Sequence, residues 1–148
     1  MSYGRLVLAA AAATAVDGIY GFVVYGNVIS GEFARYPAIY RSSETQTSYL
    51  PLMFLGVFFA MLVATYLYAK GYEGGSGVQE GMRFGVLLGL LTVGYVAGVN
   101  YAIMNIGKRM AAYYALAGLV EWTVVGITIG FVYYPATPRA AKGRATGV

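Results

Sequence analysis

The sequence predicts an all-α integral membrane protein, a four-helix bundle with both termini on the cytoplasmic side. Composition is the first reason: of 148 residues 59% are hydrophobic and 11% charged, with a mean hydropathy of +0.63, far from the balance of a soluble domain. Segmentation is the second. Four apolar stretches, residues 6–28, 50–69, 82–104 and 112–134, are each long enough for a hydrocarbon core of about 30 Å. Lipid offers no partner to free backbone N–H and C=O groups, and no alternating barrel pattern is present, so these stretches are read as helices. Residues 1–134 then form one unit, followed by a basic, flexible tail over 135–148, "PATPRAAKGRATGV", whose few apolar groups cannot fold alone.

The first stretch imitates a secretory signal, with Arg5, "LVLAAAAATA" and a small-x-small site at Ala13 and Ala15. Its apolar run continues past Asp17 through "GIYGFVVYGNV", longer than a signal core requires, so a retained helix is expected. The loop that follows, "SGEFARYPAIYRSSETQTSY", is too rich in Tyr, Phe and Ile for a solvated linker. It is expected to lie on the outer membrane surface or to cover the bundle mouth. Arg35 and Arg41 there either snorkel or meet anionic headgroups and carboxylates.

After the second stretch comes "KGYEGGSGVQEGMRFG", glycine-rich enough to raise nucleotide binding. No Lys-Ser/Thr follows, the spacing of Gly75, Gly77 and Gly81 is one residue too long for a dinucleotide fingerprint, and the preceding segment is a membrane helix rather than a strand. A helix stop and start is the better reading. Gly71, Gly74 and Gly75 can turn the chain, and Ser76-x-x-Gln79 reads as a capping box for the third helix. Glu80 complements the helix dipole, and Arg83 pairs with Gln79 or Glu80 and snorkels to the headgroups.

Within the third span Gly81, Gly85 and Gly89 share one face, while Gly94 and Gly98 form another roughly opposite. Two neighbours can then approach closely, which predicts that the third helix is central. The fourth span repeats the device with Gly126 and Gly130, extended through Trp122 and Gly118; the first offers Ala9, Ala13 and Gly21. Such stripes serve as seams inside one bundle or as an interface between protomers.

Lys and Arg set the orientation. Arg5, Lys70, Arg83, Arg139, Lys142 and Arg144 fall on one side against Arg35, Arg41, Lys108 and Arg109 on the other, a mild bias that places the termini inside. Tyrosines fit interfacial belts. Tyr3, Tyr68, Tyr72, Tyr133 and Tyr134 mark the inner level, and Tyr25, Tyr49, Tyr101, Tyr113 and Tyr114 the outer.

There is no His and no Cys. That removes imidazole and thiolate ligands, disulfides, cysteine nucleophiles and any Ser-His-Asp triad. No cofactor or metal is expected, no nucleic acid, and no enzymatic activity. Two carboxylates lie deep in spans, Asp17 and Glu121. They are costly in hydrocarbon and should face the interior, paired or protonated. Antiparallel folding of the last two helices sets Glu121 near Gly94 and Tyr95, with Asn100 nearer the outer surface, and brings Asp17 to a similar depth. One role is a proton- or cation-coupled site. The plainer role is structural, with the carboxyls bonded to Thr14, Tyr20, Tyr95 or a backbone carbonyl.

The segments "EFARYPAIYR", "YEGGSGVQEGMRFG", "NYAIMNIG" and "EWTVVGITIGFVYYP" together resemble a group of small, uncharacterised bacterial membrane proteins with four predicted spans. The resemblance covers most of the chain beyond the first helix. It implies the fold and a bacterial inner membrane, and transfers no active site. Function is therefore expected to be that of an accessory or scaffold subunit, packing with lipids, other membrane subunits or copies of itself. The alternative is an oligomeric proton- or cation-coupled small-solute transporter using Asp17 and Glu121.

Overall fold

The computed structural model describes residues 2–133; the tail at 135–148 lies outside them. All regular structure among the described residues is helical. Four helices are long and apolar enough to cross a membrane, Tyr3–Val28, Leu50–Gly71, Gly77–Ile103 and Lys108–Tyr133. The first consists of α1 (Tyr3–Val23) continued by a π turn, Val24–Val28. Two short helices, α2 (Ser30–Phe33) and α3 (Ser43–Ser48), occupy the first connection. The second span is α4 (Leu50–Gly71). The third joins α5 (Gly77–Thr92), a π turn (Val93–Gly98) and α6 (Val99–Ile103), and the fourth is α7 (Lys108–Tyr133). Below, the terminal end is the one carrying the start of α1 and residues 72–76, and the loop end carries residues 29–49 and 104–107.

The fourth span is the hub, not the third. α7 packs on α5 along one face and on α1 along another, and it also touches α4, which otherwise packs on α1. α5 packs chiefly on α7 and meets α4 through Tyr68, whose ring lies 5.6 Å from that of Phe84. The reason is that α7 presents two seams. Gly118, Gly126 and Gly130 face α5, while Val125, Ile129 and Tyr133 join the buried cluster formed with Leu6, Ala9, Ala10 and Ala13 of α1 and Met61, Ala64 and Tyr68 of α4.

Along the α5–α7 seam backbone meets backbone. A methyl at Gly85 would lie 2.9 Å from Thr123 Cα, one at Gly126 2.6 Å from Gly85 Cα, and one at Gly89 3.0 Å from Leu119 Cα. Gly81 faces the Gly126 carbonyl, and Gly130 faces that of Gly77. Lipid supplies no hydrophobic drive for helix association, so this close approach, with its dispersion contacts, holds the pair together.

The second glycine pair behaves differently from the sequence expectation. Gly94 and Gly98 are exposed and lie in the π turn, where Ala97 instead is buried. One extra residue in a helix sets the following side chains back by roughly 100°, so the small-residue stripe of Gly81, Gly85 and Gly89 resumes at Ala97. The register of the last two spans also differs. Gly85 lies opposite Trp122 and Gly89 opposite Leu119, so Glu121 is level with residues between them rather than with Gly94 and Tyr95. The connection is shorter than hydropathy suggests, because α7 begins at Lys108, whose charge and that of Arg109 mask the helix start.

The turn at residues 72–76 does stop one helix and start another, by other atoms than expected. Ser76 is the N-cap residue, yet its side chain makes no capping bond, and Gln79 is exposed. Glu80 braces the turn instead: its carboxylate accepts from the Glu73 N–H at 3.0 Å and from the Gly75 N–H, both ahead of the helix start. Gly74 alone of the turn glycines has positive φ, at 98°. The inner tyrosines are corrected too. Tyr68, Tyr72 and Tyr133 are buried, with the Tyr68 hydroxyl donating to the Gly77 carbonyl and that of Tyr72 to Gly75. They form the packed floor of the terminal end.

Candidate functional site: paired carboxylates beneath an aromatic strap

Polar groups of the membrane interior gather between α1 and α7. The Tyr25 hydroxyl donates to Glu121 Oε2 at 2.9 Å. Tyr20, one turn earlier, donates to the Ala117 carbonyl at 2.8 Å, and the two rings meet edge to face at 6.2 Å. Asp17, half-buried, lies one turn below Tyr20 on the same span. The first span thus carries an acid and two tyrosines, and the tyrosine hydroxyls reach α7 at Glu121 and Ala117. Thr14 takes no part, since its hydroxyl donates to the Ala10 carbonyl at 2.8 Å.

Tyr25 lies in the π turn of the first span. The wide turn is internally satisfied, with the Ile29 N–H on the Val24 carbonyl at 2.9 Å and the Asn27 amide on the Phe22 carbonyl at 2.7 Å. Two residues assigned to the site from sequence are elsewhere. Tyr95 is 72% exposed, and Asn100 makes no side-chain hydrogen bond among the described residues; both follow from the register shift of the third span.

Beyond Tyr25 lies the first connection, expected on the membrane surface or over the bundle mouth, and it holds a buried acid that the sequence reading did not single out. Glu32, 5% exposed, is ion-paired with Arg109 at 3.3 Å and Arg35 at 3.6 Å. The Gly107 N–H donates to the Tyr36 hydroxyl at 3.0 Å, and the Tyr114 hydroxyl donates to that of Tyr40 at 2.8 Å. Phe33 fills the centre, its ring 4.9 Å from Tyr40, 6.3 Å from Tyr114 and 6.4 Å from Tyr25. The run of aromatics in "GEFARYPAIY" was the available signal for a packed segment. Nothing in it singled out Glu32 as buried. Tyr25 and Tyr114, expected in an interfacial belt, are used here as hydrogen-bond donors instead.

No group of three or more His, Cys, Asp or Glu positioned for a metal exists among the described residues. An open cleft lined by Ser76, Gly77, Val78, Gly130 and Phe131 lies at the terminal end, away from the carboxylates and without an ionisable side chain. Fold and site define the class: a protein whose described residues form four helices apolar enough to span a membrane, with a tyrosine–carboxylate hydrogen bond between the first and last. Comparison with known protein families, curated proteins and solved structures found no match.

Proposed function

We propose that the chain is a bacterial inner-membrane subunit that assembles, with a partner or with copies of itself, through the uncovered face of its third span. The observation that carries this is the state of Gly94 and Gly98. A methyl at Gly94 meets nothing within 4 Å, and at Gly98 only the Val93 carbonyl at 3.8 Å. The fold makes no use of their smallness, and small residues on a lipid-facing helix are where a second helix approaches closely. The terminal end faces the cytoplasm in this reading, by the distribution of Lys and Arg. Native mass measurement and crosslinking in mild detergent test it: the chain should exceed its monomer mass, and Gly94→Leu with Gly98→Leu should return it to monomer with unchanged helix content. A monomeric wild type discards the proposal.

A second reading is favoured by the junction of the first and fourth spans, where the Tyr25 hydroxyl holds Glu121 and Asp17 lies two turns below Tyr25 on the same span. Ionisable groups brought together at membrane depth are the usual means of coupling proton or cation movement to a solute. In proteoliposomes, Asp17→Asn and Glu121→Gln should each abolish coupled flux while leaving assembly intact. Flux that ignores both side chains eliminates this mechanism.

A further inference from the structure

We infer that residues 29–40 form a strap that governs access from the loop end to Glu121 and is closed in this structure. The inference rests on the second reading, that Asp17 and Glu121 serve a working site. Three observations carry it. The strap is fastened across to the fourth span, since its partners are Gly107, Arg109 and Tyr114, all on or just before α7. Its fastenings are polar and partly wet, with the Arg109 side chain 62% exposed, so water can replace them one by one. Its apolar centre, Phe33, stands on Tyr25, the same residue whose hydroxyl holds Glu121. Lifting the strap therefore removes both the cover and the ring against which Tyr25 is braced.

The two ends of the segment suit a hinge. On one side the chain enters through the π turn and Ile29, and on the other it leaves through residues 41–49, which are exposed throughout. Between them short turns hold the strap as a unit, with the Tyr36 carbonyl accepting from Ile39 at 2.9 Å and Tyr40 at 3.0 Å.

Because the chain contains no cysteine, a single introduced thiol reports access directly. Glu121→Cys, and separately Ala117→Cys, would be labelled in proteoliposomes with a water-soluble, membrane-impermeant methanethiosulfonate. The closed strap predicts slow labelling. Adding Glu32→Gln and Tyr36→Phe, which remove two ion pairs and a hydrogen bond but keep side-chain shape, should raise the rate about ten-fold or more. Tyr36→Phe alone, with helix content checked, serves if the double change fails to fold. Fast labelling with the strap intact, or slow labelling with it loosened, overturns the proposal. If labelling responds as stated but Asp17→Asn and Glu121→Gln leave flux unchanged, the strap stands and the coupled-site reading falls.

Discussion

Single side chains in this molecule often do a neighbour's expected work. Ser76 and Gln79 have the spacing of a capping box, yet Glu80, one residue further on, reaches back to the amides of Glu73 and Gly75. Glu80→Ala should destabilise by about 1 kcal/mol, the usual net worth of hydrogen bonds lost from a turn, while Ser76→Ala, which removes no side-chain cap bond, should be close to neutral; thermal unfolding in detergent measures both. Equal losses would restore the capping box. Asp17 and Glu121 were legible because a carboxylate in an apolar run is conspicuous. Glu32 was not, because an acid in a loop beside arginines has the pattern of a solvated residue. Only the fold shows its burial. Tyr25→Phe keeps the ring against Phe33 and removes the bond to Glu121, so a loss of about 0.6–2 kcal/mol is expected. A larger loss would mean that the ring, too, had moved.

At the level of helices, equal glycine motifs have unequal roles. Gly85→Ala and Gly126→Ala drive a methyl into the facing backbone, with contacts of 2.9 Å and 2.6 Å, where no side chain can yield. Each should separate α5 from α7 or cost about 3 kcal/mol, at the upper end of overpacking penalties. Gly94→Ala meets nothing within 4 Å of its own chain, so at concentrations below self-association it should be neutral or stabilising by up to about 1 kcal/mol through helix propensity, its cost falling only on association between copies. Unfolding midpoints of the three variants would show this ordering, and similar losses for all would contradict the seam. The motif spacing was readable in the sequence. The π turn at Val93–Gly98 was not, since an inserted residue leaves composition and hydropathy unchanged while turning the rest of the helix by roughly 100°.

Across the whole molecule the packing is uneven. The buried cluster lies in the terminal half, where α1, α4 and α7 meet and Tyr68 also reaches α5, whereas residues 41–56 at the loop end are exposed. Tyr68 is the point where the second, third and fourth spans touch. Tyr68→Ala should therefore cost about 3–5 kcal/mol, the range for deleting a buried aromatic ring, and should loosen the third span along with the second. Hydrogen exchange resolved by segment would detect it as faster exchange in both α4 and α5. A loss confined to α4 would show that α5 is held by α7 alone.

The sequence by itself determined the class, the number of spans and the close-packing character of the last two, because hydropathy over about 20 residues and glycine at four-residue spacing are local properties of a chain in lipid. It also marked the two intramembrane acids. Tertiary structure alone decided which helix is central, how α5 and α7 are registered, that Tyr25 rather than Tyr95 meets Glu121, and that residues 29–40 are fastened at the start of α7. Each of these depends on where a short connection ends or where one extra residue enters a helix. A displacement of one residue rotates a side chain by about 100° and moves it 1.5 Å along the axis, so small local choices, invisible to hydropathy, settle every contact between helices.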